Sequence, residues 1–354
     1  MKNKKINIVT GLCHKYDDCS KYPQLMQNKS NQRLFTYLKC TAVFFASSIR
    51  NNPNSRHILF TNLEKLPKIG KFDIEKLFFD LGVEIKFLPF TYRPPKKFSK
   101  NFTAAYYKLD IFRYLAKNTK EEEISMFFDS DCVWINSADK IIKEITKNRF
   151  QLYDCESSPP PNKKNLGTSR KDLLEIYKFI DINFPNKLPI YIGGEFLSGT
   201  KKIFMELFLE FDKVFKKCIR NYNKIPKFSK DSGLFDGDEY IMNFVYNKLN
   251  YVKNKRADKF IKRIWTLPFF NNTSENDFDL SVWHVLAEKE KGLSRLFKQV
   301  CKPNSLFWEL PLGNQFAKYI GNYLGIPKTN FKKIFFDFFA YKVIGLKNRF
   351  GLID

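Results

Sequence analysis

Little in this sequence would hold a chain together covalently, and little would carry it through a membrane. Its seven cysteines (Cys13, Cys19, Cys40, Cys132, Cys155, Cys218 and Cys301) are odd in number, scattered, and never in a Cys-x-x-Cys pair. That excludes a disulfide framework and reads as reduced thiols in a cytosolic protein. Cys13-His14 with Cys19 is followed by no second ligand pair at zinc-binding spacing. No segment reaches the roughly 18 apolar residues that span a bilayer. The N-terminus, Met-Lys-Asn-Lys-Lys, starts like a signal peptide, but its apolar stretch ends after a few residues. Histidine is scarce, at three in the chain, and there is neither an internal repeat nor a linker that would split the chain.

What is present describes a globular protein. Hydrophobic residues make up 44%, charged residues 28% and aromatic residues 17%, too apolar for wholesale disorder and too interrupted for a polytopic membrane protein. At 354 residues the chain can bury one large core with an appendage, so we place a catalytic domain over 1–300 and a C-terminal extension over 301–354. The net charge of +24 calls for an anionic partner: nucleic acid, an acidic membrane surface or a phosphate-bearing substrate. Part of the lysine excess also accords with the coding bias of an AT-rich genome. No compact basic motif with groove-reading geometry accompanies the charge, which argues against nucleic acid as the partner.

Strand and helix patterns alternate along the chain. Strands are predicted at 5–10, 57–62, 83–88, 124–128, 133–135, 149–154 and 189–192, and helices at 32–50, 103–117, 169–180, 201–219 and 238–249, with 157–168 as a loop and 193–199 as a glycine-rich turn. This order predicts an α/β domain with a mostly parallel sheet. Such sheets bind ligands at the C-terminal ends of their strands. The apolar run Ile124-Ser-Met-Phe-Phe128 ends there in Asp129-Ser130-Asp131, two carboxylates spaced to grip a hard divalent cation. Alone, the same motif also suits an ordinary acidic turn.

Its surroundings resemble the GT-A glycosyltransferases, which are Rossmann-like α/β proteins. Tyr106-Tyr-Lys108-Leu-Asp110 lies on a helix before the strand, as a basic helix precedes the Asp-x-Asp of that group. Tyr191-Ile-Gly193-Gly194-Glu195-Phe-Leu-Ser-Gly199 is similar to the glycine turn under the donor sugar and acceptor. Asp236-Gly-Asp238-Glu239-Tyr-Ile-Met-Asn243 resembles segments of the α-galactosyltransferase and blood-group transferase family and of the glycogenin and lipooligosaccharide galactosyltransferase group. Trp283-His284, followed by Lys289, Lys291 and Gly292, resembles a late His, Gly and Lys segment of the glycogenin-like group, with the lysines and glycine in a different order.

The resemblance implies a metal-dependent, retaining hexosyltransferase that uses a nucleotide sugar, with UDP as the carrier and a glycan or glycolipid as acceptor. It implies Mn²⁺ or Mg²⁺ on Asp129, Asp131 and His284, the nucleotide and its phosphates near Thr10, Gly11, Lys108, Asp129, Ser130 and Lys289 or Lys291, and Gly194 and Glu195 at the sugar or acceptor. Asp238 and Glu239 would face the anomeric carbon. Helix capping by Asp238 and Glu239, a solvated Lys108 and a packed His284 are the plain structural readings of the same residues. A nucleic-acid-binding protein, or a nucleotidyl- or phosphotransferase built on the same carboxylates, is the alternative.

The end of the chain changes character. Residues 331–350 mix Phe, Ile, Val and Leu with Lys332, Lys333, Lys342, Lys347 and Arg349. They predict a helix that either packs on the catalytic domain or lies against an anionic membrane surface, which would make the protein cytoplasmic and peripheral.

Overall fold

Strand β1 (Ile6–Leu12) is buried at every position but Gly11, as a central strand covered on both faces must be. Helix α1 (Ser30–Asn51), β2 (Arg56–Thr61), α2 (Ile74–Asp80) and β3 (Glu84–Phe87) follow, then α3 (Tyr107–Asn118), β4 (Ile124–Phe128) and β5 (Cys132–Trp134). Next come α4 (Asp139–Asn148), β6 (Phe150–Leu152), α5 (Arg170–Ile180), β7 (Phe196–Thr200), α6 (Lys201–Asn221) and α7 (Glu239–Lys248). Strands β8 (Ile261–Arg263), β9 (Thr266–Leu267), β10 (Phe270–Asn271) and β11 (Val282–His284) precede α8 (Gly292–Val300), α9 (Leu306–Glu309) and α10 (Asn314–Leu324). The computed structural model describes residues 5–14, 22, 24–25, 30–95, 101–153, 160–164, 168–226, 238–252, 257–267 and 270–339.

The main sheet has the order β3-β2-β1-β4-β7-β6. Strands β1 to β4 run parallel, and β7 is antiparallel to both of its neighbours. The expected α/β class with a mostly parallel central sheet flanked by helices is therefore borne out. Alternation along β4 supplies both cores: Met126 and Phe128 pack with Phe44, Phe45 and Trp134 on the α1 side, and Phe127 packs with Phe112, Phe204 and Phe211 on the side of α3 and α6. A second sheet, β5-β11-β8, lies beyond the end of β4.

Two predicted segments exchange roles. Residues 189–192 form no strand; their backbone is held by α7 side chains. Asn247 accepts from the Ile190 amide and donates to the Ile190 carbonyl, both at 2.8 Å, and Asn243 does the same for Ile192 at 2.6 and 2.8 Å. The two asparagines, four apart on one helical face, thus replace a neighbouring strand. Conversely, most of the predicted turn at 193–199 is strand β7, because Phe196 and Leu197 bury on opposite faces of the sheet. The loop expected at 157–168 lies partly outside the described residues, as do Asp236 and Gly237.

The extension over 301–354 continues the same body as far as it is described. Phe307, Phe316 and Ile320 join the core that includes Phe297 of α8, and a helix is described over 331–339.

Candidate active site

Strand β4 ends at Phe128, and the chain turns so that Asp129 and Asp131 stand at the C-terminal end of a central parallel strand. The turn is fixed by backbone bonds: the Asp129 amide donates to the Glu195 carbonyl at 2.9 Å, and the Cys132 amide to the Asp129 carbonyl at 3.2 Å. The small sheet then brings in residues remote in sequence. Antiparallel pairing sets His284 opposite Cys132, and parallel pairing sets Arg263 beside His284, so one row of that sheet delivers an imidazole and a guanidinium to the carboxylates.

The contacts are short and mutually dependent. His284 Nε2 is 3.1 Å from Asp131 Oδ2, its Nδ1 is 3.1 Å from Glu195 Oε1, and Lys289 Nζ is 2.7 Å from Asp131 Oδ2. Lys108 Nζ lies 3.0 Å from Asp129 Oδ1 and 3.2 Å from Asp238 Oδ2, and donates to the Gly194 carbonyl at 2.8 Å. Arg263 grips Glu195 with two hydrogen bonds of 2.7 Å and reaches Glu239 at 3.2 Å. Glu239 also accepts from the Gly194 amide at 3.0 Å and from the Tyr191 hydroxyl. Gly194 sits tightly among these groups: a Cβ there would meet Glu239 Cγ at 3.0 Å and Lys108 Nζ at 3.2 Å, and would press on both side chains.

Burial and charge set the protonation states. Burial acts to raise the Asp131 pKa, but His284 and Lys289 outweigh it and hold the carboxyl well below its usual range. Glu195 is likewise held low against burial, by Arg263 and His284. Burial would lower the His284 pKa, yet Asp131 and Glu195 raise it to about 9. Asp238 is pushed up to about 6, by burial that the neighbouring Lys108 only partly offsets. Its Oδ2 is buried and has no hydrogen-bond partner, so the Lys108 contact is one of charge without hydrogen-bond alignment.

These groups edge a cleft of about 390 Å³. Of the residues singled out in the sequence, Gly11, Lys108, Asp129, Ser130, Asp131, Asp238, Glu239, His284 and Lys289 line it, and Thr10, Gly194, Glu195 and Lys291 do not. The Thr10 hydroxyl is buried and donates to the Phe128 carbonyl at 2.8 Å, tying β1 to β4. Glu195, expected at a sugar hydroxyl, is fully buried with both oxygens engaged by Arg263 and His284; it orients those side chains instead. Lys291 lies outside the cleft lining, at the start of α8. Capping does not explain Asp238, which makes no side-chain cap to α7, nor is Lys108 solvated, being buried between two carboxylates.

Sequence reasoning missed Arg263, Gln24, which accepts from Lys289, and Asn247, and it gave Asn243 only as the last residue of a motif, without a role. Two asparagines four apart on an otherwise apolar helix were a usable signal; Arg263 in a lysine-rich stretch offered none.

Among the described residues, Asp129, Asp131 and His284 form the group suited to a metal ion, with ligand atoms all within 4.8 Å of one another. The donor set fits a divalent cation. Asp129, Asp131, Glu195, Asp238 and Glu239 are five carboxylates in contact with four basic groups, Lys108, Lys289, Arg263 and His284.

No protein-family model matches this chain, and no curated protein sequence does. Among solved structures it is similar to the galactosyltransferase LgtC in complex with donor and acceptor sugar analogs, with 11% identity, a TM-score of 0.46, and coverage of 86% of this chain and 100% of that one. It is also similar to mouse xyloside xylosyltransferase 1 (9% identity, TM-score 0.41, 79% and 97% covered). A third is the WbbM bifunctional glycosyltransferase (11% identity, TM-score 0.46, 86% and 51% covered).

Proposed function

We propose that this chain is a glycosyltransferase that moves a hexose from a nucleoside diphosphate sugar, with UDP as the carrier, to a glycan or glycolipid acceptor, with retention at the anomeric carbon. The observation that carries this reading is the Asp129, Asp131 and His284 cluster at the end of β4, its ligand atoms within 4.8 Å of one another, with an ammonium group on either side of it. Mn²⁺ or Mg²⁺ held by those three residues would act as a Lewis acid toward the diphosphate leaving group.

The chain's own residues supply the rest. Lys108 and Lys289 neutralise charge that develops on the departing diphosphate. Gly11 lines the cleft at the end of β1 and lies beside the nucleotide base in this reading. Glu195 accepts the Nδ1 proton of His284 and so turns the Nε2 lone pair toward the carboxylates. Asp238, whose Oδ2 has no hydrogen-bond partner, faces the anomeric carbon, and Glu239 is held beside it by Tyr191, Gly194 and Arg263. A carboxylate there stabilises an oxocarbenium-like transition state or forms a covalent intermediate, and retention follows from the latter. Contact with a membrane at its inner face belongs to the same reading, because a glycolipid acceptor lies there.

Cation binding should be strongly pH-dependent. The Nε2 lone pair must be free, while the resting imidazole keeps its proton up to a pKa of about 9. Below that value binding releases one proton, so affinity should rise about tenfold per pH unit between pH 6 and 8. Calorimetry of Mn²⁺ binding in buffers of different ionisation enthalpy reads the released proton directly; release of none would sink the His284 assignment.

The function itself is tested by screening UDP- and GDP-sugars for Mn²⁺-dependent turnover, with products resolved by mass. Release of nucleoside diphosphate with transfer or hydrolysis of the sugar is expected. Nucleoside monophosphate products would mark a nucleotidyl- or phosphotransferase, and salt-sensitive nucleic-acid binding without turnover would overturn the enzyme reading.

A further inference from the structure

The helix described over 331–339 is turned inside out. Two of its charged groups point inward: Lys333 is buried and pairs with Glu288 at 3.1 Å and with Asp337 one turn on, while Asp337 binds Arg295 at 2.6 Å. The Lys333 stem also packs on Gly325, where a Cβ would meet its Cδ at 3.0 Å. The apolar side chains point outward. Phe331 is 81% exposed, and Ile334, Phe335, Phe336 and Phe339 are about half exposed, at 53%, 50%, 46% and 47%. Monomeric proteins seldom leave such a continuous apolar strip in water, and strips of this kind mark interaction surfaces. Because the inner face is clamped by ion pairs, the helix cannot bury the strip by rolling over.

We propose that this helix is a docking surface for a lipid bilayer rich in anionic headgroups. Charge selects the occupant. The chain carries +24, exposed Lys328 and Lys332 flank the strip, and the sequence beyond it alternates Tyr341, Val343, Ile344 and Leu346 with Lys342, Lys347 and Arg349. A second copy would set one strongly basic surface against another, whereas aromatic side chains among lysines match the interface of an anionic membrane. The inner face of the helix adds a consequence. Glu288, which Lys333 holds, directly precedes Lys289 and lies one short turn after His284, so the element that meets lipid also braces the segment forming one wall of the cleft.

The docking surface does not depend on the glycosyltransferase reading, and it is measured without any sugar nucleotide. Full-length protein is sedimented with phosphatidylcholine vesicles, with and without roughly one-third phosphatidylglycerol, at low salt and at about 0.5 M salt, where simple charge attraction is screened. Binding to the anionic vesicles is expected, with a fraction persisting at high salt. The Phe335→Ser/Phe336→Ser/Phe339→Ser variant should lose that persistent fraction by at least tenfold, with an unchanged circular dichroism spectrum. Should that variant fold poorly, Phe335→Trp in the intact chain provides the reading: quenching of the introduced indole by brominated lipid is expected. Absence of wild-type binding, equal binding by the triple variant, unquenched indole fluorescence from the Phe335→Trp variant, or a wild-type dimer that the triple variant dissolves would each overturn the proposal.

Discussion

Replacing Asp131 with Asn should abolish metal-dependent turnover, lowering it by more than about 100-fold. Changes to groups that merely orient metal ligands cost 10- to 100-fold, and Asp131 is placed as a ligand itself. Its Oδ2 is shared by His284 Nε2 and Lys289 Nζ at 3.1 and 2.7 Å. Neutralising it therefore removes one donor to the cation and the countercharge of two others. Asn has the same shape and keeps an acceptor oxygen, so the loss should appear in ion binding and rate with little effect on packing. Titration calorimetry with Mn²⁺, run beside the turnover assay, checks both; unchanged metal dependence would show that the cluster is not the site. Glu195→Gln provides the graded comparison. It leaves the ligands in place but weakens the hold on His284 Nδ1, so ion affinity should fall within the 10- to 100-fold range.

Lys333→Met should destabilise the protein by about 3–5 kcal/mol, the usual effect of removing one partner from a buried ion pair. Glu288 is almost fully buried and has Lys333 as its cation; its other oxygen accepts from the Gly292 amide at 3.1 Å. Burial already raises the Glu288 pKa above its reference value of 4.5, with Lys333 acting against that rise. Losing Lys333 must raise it further. A carboxyl whose folded pKa lies above its unfolded value favours the folded state below the unfolded pKa, and that advantage disappears as pH climbs through the folded pKa. The variant's deficit should thus be greatest near and above neutral pH and shrink as pH falls toward 4.5. Adding Glu288→Gln should restore most of the stability, since it removes the stranded charge. Denaturant melts of the single and double variants across this pH range decide the matter; a deficit independent of pH would mean that lost packing of the lysine stem dominates.

Much of the architecture was legible because it is written in short-range patterns. The apolar runs of β1 and β4, the 3.6-residue spacing of α3 and α6, and the alternation of strands with helices are properties of neighbouring residues, and they led to the correct fold class. The exchange between 189–192 and 196–200 shows where that reading stops. Both segments are of strand length and contain adjacent large apolar residues, and what separates them is which one finds a partner. Phe196–Thr200 pairs with β4 and β6, whereas 189–192 meets the amides of Asn243 and Asn247.

The candidate site divides along the same line. By itself the sequence determined that two carboxylates close an apolar strand, that a lysine-bearing helix precedes them, and that Asp238 and Glu239 open a later helix, since each is a statement about residues a few positions apart. Tertiary structure alone decided that His284 and Arg263 share one row of a second sheet, that Glu195 is a buried anchor for both of them, and that Lys289 rather than Lys291 lines the cleft. The C-terminal helix is the sharpest case: its composition announced an amphipathic element, but only the buried Lys333 and Asp337 ion pairs establish that its apolar face points outward. The physical reason is common to all of these. Register between distant strands, and the pairing of charges withdrawn from water, depend on which surfaces meet in space, and spacing along a chain does not record that.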